Sequence, residues 1–156
     1  MVFGVLPQRP RAYLAAPVAA ANGLFQAINW AFDQDDDLTW ADLGILVADP
    51  ALVVQLSHLR RLKTRGVRIG TAEQAARTRS FHGVMIAYCP DAAMLAAAEA
   101  APGGRAVAAV ADHNEHLLAW AAAAAPQHLG GDVLPGLPRT AAPVSAGSGQ
   151  LLRPSG

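Results

Sequence analysis

The stretch that decides the fold is Gly83-Val84-Met85-Ile86-Ala87-Tyr88-Cys89-Pro90-Asp91. It is a short apolar run that stops at a proline and is followed by an aspartate and an alanine-rich segment. An apolar run of this length between Gly and Pro is typical of a strand buried on both faces, because a buried helix needs about 10 residues or more. The pattern predicts a central β-strand and a helix that begins near Asp91.

Two other segments, 43–50 and 105–112, repeat this pattern of an apolar run, an Asp and then a helical pattern. A shorter segment, Val67-Arg68-Ile69, precedes a capping box formed by Thr71 and Gln74. Strands that alternate with helices predict a parallel sheet covered by helices. We therefore expect a three-layer α/β domain, Rossmann-like or flavodoxin-like, with about four mostly parallel strands. The sequence leaves the strand order open.

The flanking segments set the expected domain boundaries. Residues 1–16 contain two Pro and two Arg without periodicity and are expected to form an irregular N-terminal arm. Residues 17–131 are expected to form a single α/β domain that opens with an amphipathic helix over 17–32. Pro, Gly and Ser dominate the end of the chain, so 132–156 is expected to be a flexible tail.

Composition and charge narrow the class of protein. The 156 residues contain 12 Lys and Arg and 12 Asp and Glu, so no global field favours nucleic acid or anionic membranes. Bases cluster in 51–90, but only Phe81 is close to them in the sequence, so we expect a solvated helix face and no strong nucleic-acid signal. No apolar run approaches the roughly 18 residues of a membrane span. The single cysteine is compatible with a reducing cytoplasm, where we expect the chain to be located.

Candidate site residues follow from the expected sheet, because ligands bind at the carboxyl ends of parallel strands. The ligand-binding candidates at that edge are Asp49, Thr71, Asp91, Asp112, His113 and Asn114. The catalytic candidates are Asp112, His113 and the thiol of Cys89. Two interpretations of the aspartates at positions 49, 91 and 112 stay open. In the first, the three carboxylates converge on a hard cation such as Mg²⁺. In the second, each aspartate caps the helix that follows it.

Several sharper motifs are absent from the sequence: a glycine-rich phosphate loop, a nucleophile elbow, a zinc-protease motif and a cysteine pair. Whether the chain is an enzyme therefore stays open, and no cofactor is identified. We expect a binding or regulatory module with a ligand or partner site at the strand ends, and a protein partner or homo-oligomer. The alternative is a small metal-dependent phosphoryl-transfer or hydrolytic enzyme that uses Asp49, Asp91 and Asp112 with Mg²⁺. No metal ligand is assigned outside that alternative.

Overall fold

A computed structural model describes residues 3–78 and 80–138, and the described residues form one sheet of six parallel strands. Along the sheet the order is β3-β2-β4-β5-β1-β6. The strands are β1 (Arg11–Leu14), β2 (Leu43–Leu46), β3 (Arg68–Gly70), β4 (Val84–Tyr88), β5 (Ala106–Val110) and β6 (Gln127–Gly130).

Helices cover both faces of this sheet. They are α1 (Ala20–Gln34), α2 (Ala51–Gln55), α3 (Ser57–Thr64), α4 (Ala72–Arg77), α5 (Ala92–Ala100) and α6 (Leu118–Ala124), with 3₁₀ turns at Trp40–Asp42 and Asn114–Leu117. The first face packs α1, α2 and α3 on the strands through side chains such as Leu24 and Leu59. The second face packs α4, α5 and α6 through side chains such as Leu95 and Trp120. None of the described helices combines the length and apolar character needed to cross a membrane.

The predicted three-layer α/β class with a parallel sheet is confirmed, but the sheet has six strands rather than about four. Strands β4 and β5 coincide with the apolar runs, and all of their residues are buried. The helix predicted after Asp49 is divided into α2 and α3, because Leu56 adopts an extended conformation with φ −101° and ψ 116°. The first helix begins at Ala20 rather than at Pro17.

The expectation of an irregular arm over 1–16 is wrong for the segment that forms β1. This strand lies between β5 and β6, and its four residues are buried. The first residue of this strand, Arg11, is charged. It is buried because Glu99 of α5 neutralises its charge. The guanidinium donates from Nε to Glu99 Oε2 at 2.8 Å and from Nη2 to Oε1 at 2.7 Å. Trp120 Nε1 donates to the same Oε2 at 2.8 Å, so the carboxylate joins three elements.

The C-terminal part of the domain also differs from expectation. Residues 127–130 lack the apolar run that marks the central strands, but they form β6 at the edge of the sheet. The tail expected over 132–156 begins with an ordered contact, since the Leu134 side chain is buried and its N–H donates to Tyr13 Oη at 3.2 Å. The remainder of that expected tail, 139–156, lies outside the described residues.

Candidate functional site

A cleft of about 490 Å³, which we call the edge cleft, opens at the carboxyl ends of β2, β3 and β4. Strands β2 and β4 are neighbours in the sheet. The chain leaves β2 toward helices on the first face and leaves β4 toward a helix on the second face. A crevice is expected wherever two adjacent parallel strands send their connections to opposite faces. The position of the edge cleft therefore follows from the strand order, which the sequence did not provide.

Two of the predicted ligand-binding residues, Thr71 and Asp91, line the edge cleft. The Thr71 hydroxyl accepts from Gln74 N at 3.2 Å, and Gln74 Oε1 accepts from Thr71 N at 2.9 Å. Asp91 Oδ1 accepts from Met94 N at 2.8 Å and caps α5. Both predicted caps are confirmed. The second carboxylate oxygen of Asp91 forms no hydrogen bond with the described part of the chain, so it is available to a ligand.

The rim and the floor of the edge cleft differ in polarity. At the rim, Arg77 Nη1 and Glu73 Oε1 lie 3.1 Å apart in an exposed ion pair along α4. Val47, Pro50 and Met94 supply apolar wall and floor. A site of this kind suits a small ligand that is partly apolar and that donates hydrogen bonds to a carboxylate.

Asp49 lies beside the edge cleft without lining it. Its Oδ1 accepts from Ala51 N at 2.9 Å at the beginning of α2, and its side chain is exposed. The predicted N-cap at Asp49 is not formed, because Pro50 is the N-cap of α2 and no side chain caps it, so the Asp49 carboxylate bonds only within the turn before the helix.

The three candidates that follow β5 do not line the edge cleft. Asn114 uses both polar atoms of its amide on one backbone unit: Oδ1 accepts from Ala16 N at 2.8 Å, and Nδ2 donates to Ala16 O at 3.3 Å. These bonds attach the loop after β1 to the 3₁₀ turn after β5. The Asn114 amide is therefore occupied by a structural contact, and ligand binding would require breaking it.

Asp112 and His113 are exposed, and no hydrogen bond orients either side chain within the described residues. His113 Nε2 lies 3.8 Å from Asp112 Oδ2, and His113 Nδ1 lies 4.0 Å from Glu115 Oε1. Both distances exceed a hydrogen bond, whereas a general base needs a group that orients it. Asp112 does not cap the helical segment that follows it, because His113 is the N-cap of the 3₁₀ turn and no side chain caps that turn.

Cys89 follows β4 in a left-handed conformation with φ 53° and is half-buried. Burial, with a smaller contribution from the negative charge of Asp112, raises the pKa of the thiol to about 11. The group is consequently protonated near neutral pH, and a protonated thiol is a poor nucleophile. The surroundings of Cys89 favour a packing role over the catalytic one considered from the sequence.

Within residues 3–78 and 80–138, no three His, Cys, Asp or Glu side chains lie close enough together to hold a metal ion. Asp49, Asp91 and Asp112 therefore do not form the cation site of the alternative enzyme hypothesis. The competing interpretation, a helix cap, holds for Asp91, whose side chain caps α5, whereas Pro50 and His113 are the N-caps of the helical segments that follow Asp49 and Asp112.

A second cleft, which we call the aromatic groove, lies between α1 and α3 on the first face and was missed from the sequence. It measures about 220 Å³ and is lined by Phe25, Trp40, His58, Arg61, Leu62 and Arg65. Only Phe81 is close to the basic segment in the sequence, but the fold brings two distant aromatic residues, Phe25 and Trp40, to α3. One signal was available in the sequence. Leu24 and Phe25 are adjacent, so only one of them can face the sheet.

Comparison of the chain with protein-family models, with curated proteins and with solved structures gives no match.

Proposed function

We propose that this chain is a binding module whose ligand site is the edge cleft. The observation that carries the proposal is the position of the cleft, between two neighbouring strands whose connections leave to opposite faces of the sheet. Such positions are where open α/β sheets hold their ligands. Thr71 and Asp91, at the ends of β3 and β4, supply the polar groups.

The lining favours a small polar ligand that carries amino or hydroxyl groups. Asp91 has one carboxylate oxygen free to accept from such a donor. Arg77 and Glu73 offer both signs of charge at the rim. The apolar residues of the floor exclude water from one side of the ligand and so strengthen these hydrogen bonds.

Nuclear magnetic resonance of the ¹⁵N-labelled chain tests this proposal. Mixtures of amino acids and sugars are added at millimolar concentration, and the shifted backbone resonances are mapped. We expect the shifts to cluster around Thr71 and Asp91. The variant Asp91→Asn should weaken binding while preserving the fold, because Asn also caps helices.

Asp112→Asn is the matched control. It removes an exposed carboxylate at the same edge of the sheet but outside the edge cleft. Shifts that cluster around Asp112 and His113, or equal losses in the two variants, would contradict the proposal. If the chain binds none of the compounds in these mixtures, the proposal that the edge cleft binds a small polar ligand is contradicted.

A cytoplasmic location and a protein partner or second copy remain part of the proposal. The single cysteine supports a reducing compartment. Light scattering over a range of chain concentrations measures self-association directly. A constant monomer mass would contradict the proposed homo-oligomer.

A further inference from the structure

The walls of the aromatic groove are flat. Phe25 is 44% exposed on the outer side of α1, and its ring centroid lies 6.3 Å from that of His58. At the other end, Trp40 packs edge to face on Phe32 at 5.0 Å. The Arg65 guanidinium carbon lies 5.3 Å from the Trp40 ring centroid. Planar side chains therefore border the groove at both ends, which favours a planar ligand group.

The groove is also positively charged. Arg61 and Arg65 line it, and none of its lining residues is acidic. All acidic side chains of the sequence lie in the described residues, and none of them forms an ion pair with a base of α3 or with Arg65. Asp35, from the acidic stretch after α1, is paired instead with Arg105 at 2.7 Å. The guanidinium groups are therefore free to bind an anion.

His58 contributes a ring rather than a charge. Burial, and secondarily the positive charge of Arg61, lowers the pKa of His58. Its Nε2 lies 3.3 Å from Tyr88 Oη, and this contact orients the imidazole. Near neutral pH the side chain is thus an uncharged aromatic surface beside Phe25.

The size of the groove limits what enters it. At about 220 Å³ it lies below the range of roughly 300–1,000 Å³ typical of sites that enclose a whole drug-sized ligand. The groove therefore has room for one ring of a ligand, and the rest of such a ligand would lie outside the groove along α3. Another cleft, on the opposite flank of α3 and about 410 Å³ in volume, is bordered by Arg60 and Lys63. The positive surface thus continues around the helix.

We propose that the aromatic groove binds a nucleotide unit, with the base against Phe25 and the phosphate beside Arg61 and Arg65. Bases stack on exposed aromatic rings, and a guanidinium matches the geometry of a phosphate. The unit belongs either to a free nucleotide or to a single-stranded nucleic acid. Duplex DNA is a poor fit because its bases are already stacked on one another. This inference is independent of the edge cleft.

Fluorescence anisotropy of a labelled oligothymidine dodecamer tests the proposal on the full chain. Phe25→Ala should weaken binding by about 5- to 160-fold, the effect of losing one stacked base. Arg61→Ala should lower the magnitude of the slope of log K against log salt by about 0.7, as expected when one phosphate contact to a single strand is lost.

Two matched controls keep the test specific. Leu118→Ala removes an apolar side chain of nearly the same exposure, 43%, on the second face, and should leave affinity unchanged. Arg105→Ala removes a guanidinium that is 49% exposed and lies outside both the aromatic groove and the edge cleft, and it should also leave affinity unchanged. Thermal melts of all four variants check that each is folded.

A titration with adenosine monophosphate, followed by nuclear magnetic resonance, separates the two sources of the ligand. Shifts at groove residues with the mononucleotide assign the site to free nucleotides. Binding of the dodecamer alone assigns it to single strands. The proposal is overturned if neither probe binds at millimolar concentration, if Phe25→Ala binds as wild type does, or if a duplex of equal length binds as tightly.

Discussion

The bond between Arg11 and Glu99 gives the sharpest stability prediction. Each side chain is only 6% exposed, and the carboxylate accepts two bonds from the guanidinium and one from Trp120. Glu99→Gln keeps a carbonyl oxygen for the indole but leaves the buried guanidinium without its counter-charge. Removing one partner of a buried pair costs about 3–5 kcal/mol. The free energy of unfolding of a whole domain is only about 5–15 kcal/mol, so this variant loses a large part of its stability.

Urea unfolding followed by tryptophan fluorescence measures this loss. We expect the midpoint to fall with an unchanged slope, and the melting temperature to drop by about 6–20 °C, at about 2–4 °C for each kcal/mol. The matched control is Glu73→Gln, which removes a carboxylate from an ion pair whose side chains are 65% and 79% exposed. That change should cost at most about 0.5 kcal/mol.

The double variant Arg11→Met with Glu99→Gln separates lost attraction from an isolated buried charge. It removes both charges while the amide still accepts from Trp120. Replacing both members of a buried pair is often close to neutral, so the double variant should be more stable than either single variant. A Glu99→Gln cost below about 1 kcal/mol, or additive losses in the double variant, would refute this reasoning.

Three further predictions concern titration and capping. Burial acts to raise the pKa of Glu99, but the hydrogen bonds from Arg11 and Trp120 and the nearby positive charges lower it overall. Its stabilisation is therefore complete above the unfolded value near 4.5 and is lost as pH falls through the lower folded value. Urea midpoints of wild type and Glu99→Gln should converge in acid, and a constant difference would contradict this. Cys89 should react with iodoacetamide at a rate that still rises as pH approaches about 11, whereas a plateau near pH 9.0 would show an unperturbed thiol. Asp91→Ala should cost about 1 kcal/mol through loss of the α5 cap, and Asp91→Asn much less, by urea unfolding. Equal losses in these two variants would assign the effect to the charge of the carboxylate.

Local patterns in the sequence predicted the elements that depend on neighbouring residues. The apolar runs of β4 and β5 and the caps at Thr71 and Asp91 involve residues at most a few positions apart, so the sequence contains the whole signal. The number of layers followed from the alternation of strands and helices.

Features that depend on distant residues were not predictable in this way. Arg11 belongs in a buried strand only because Glu99 reaches it from α5. Asn114 resembles an edge ligand in sequence, but its amide binds the backbone of Ala16. The aromatic groove combines α1, α3 and the turn at Trp40, and no window of the sequence contains all three. The edge cleft required the strand order, which periodicity does not specify.

The place of β1 in the sheet has a consequence for biosynthesis. Arg11 is in register with Val107, and Ala12 with Gln127, so β1 leaves the ribosome well before both of its partner strands. Until β5 has been translated, the apolar side chains of β1 have no sheet to join. Long-range pairing of this kind slows folding and prolongs exposure to aggregation. Nascent chains that stop short of residue 105 should therefore require chaperone protection.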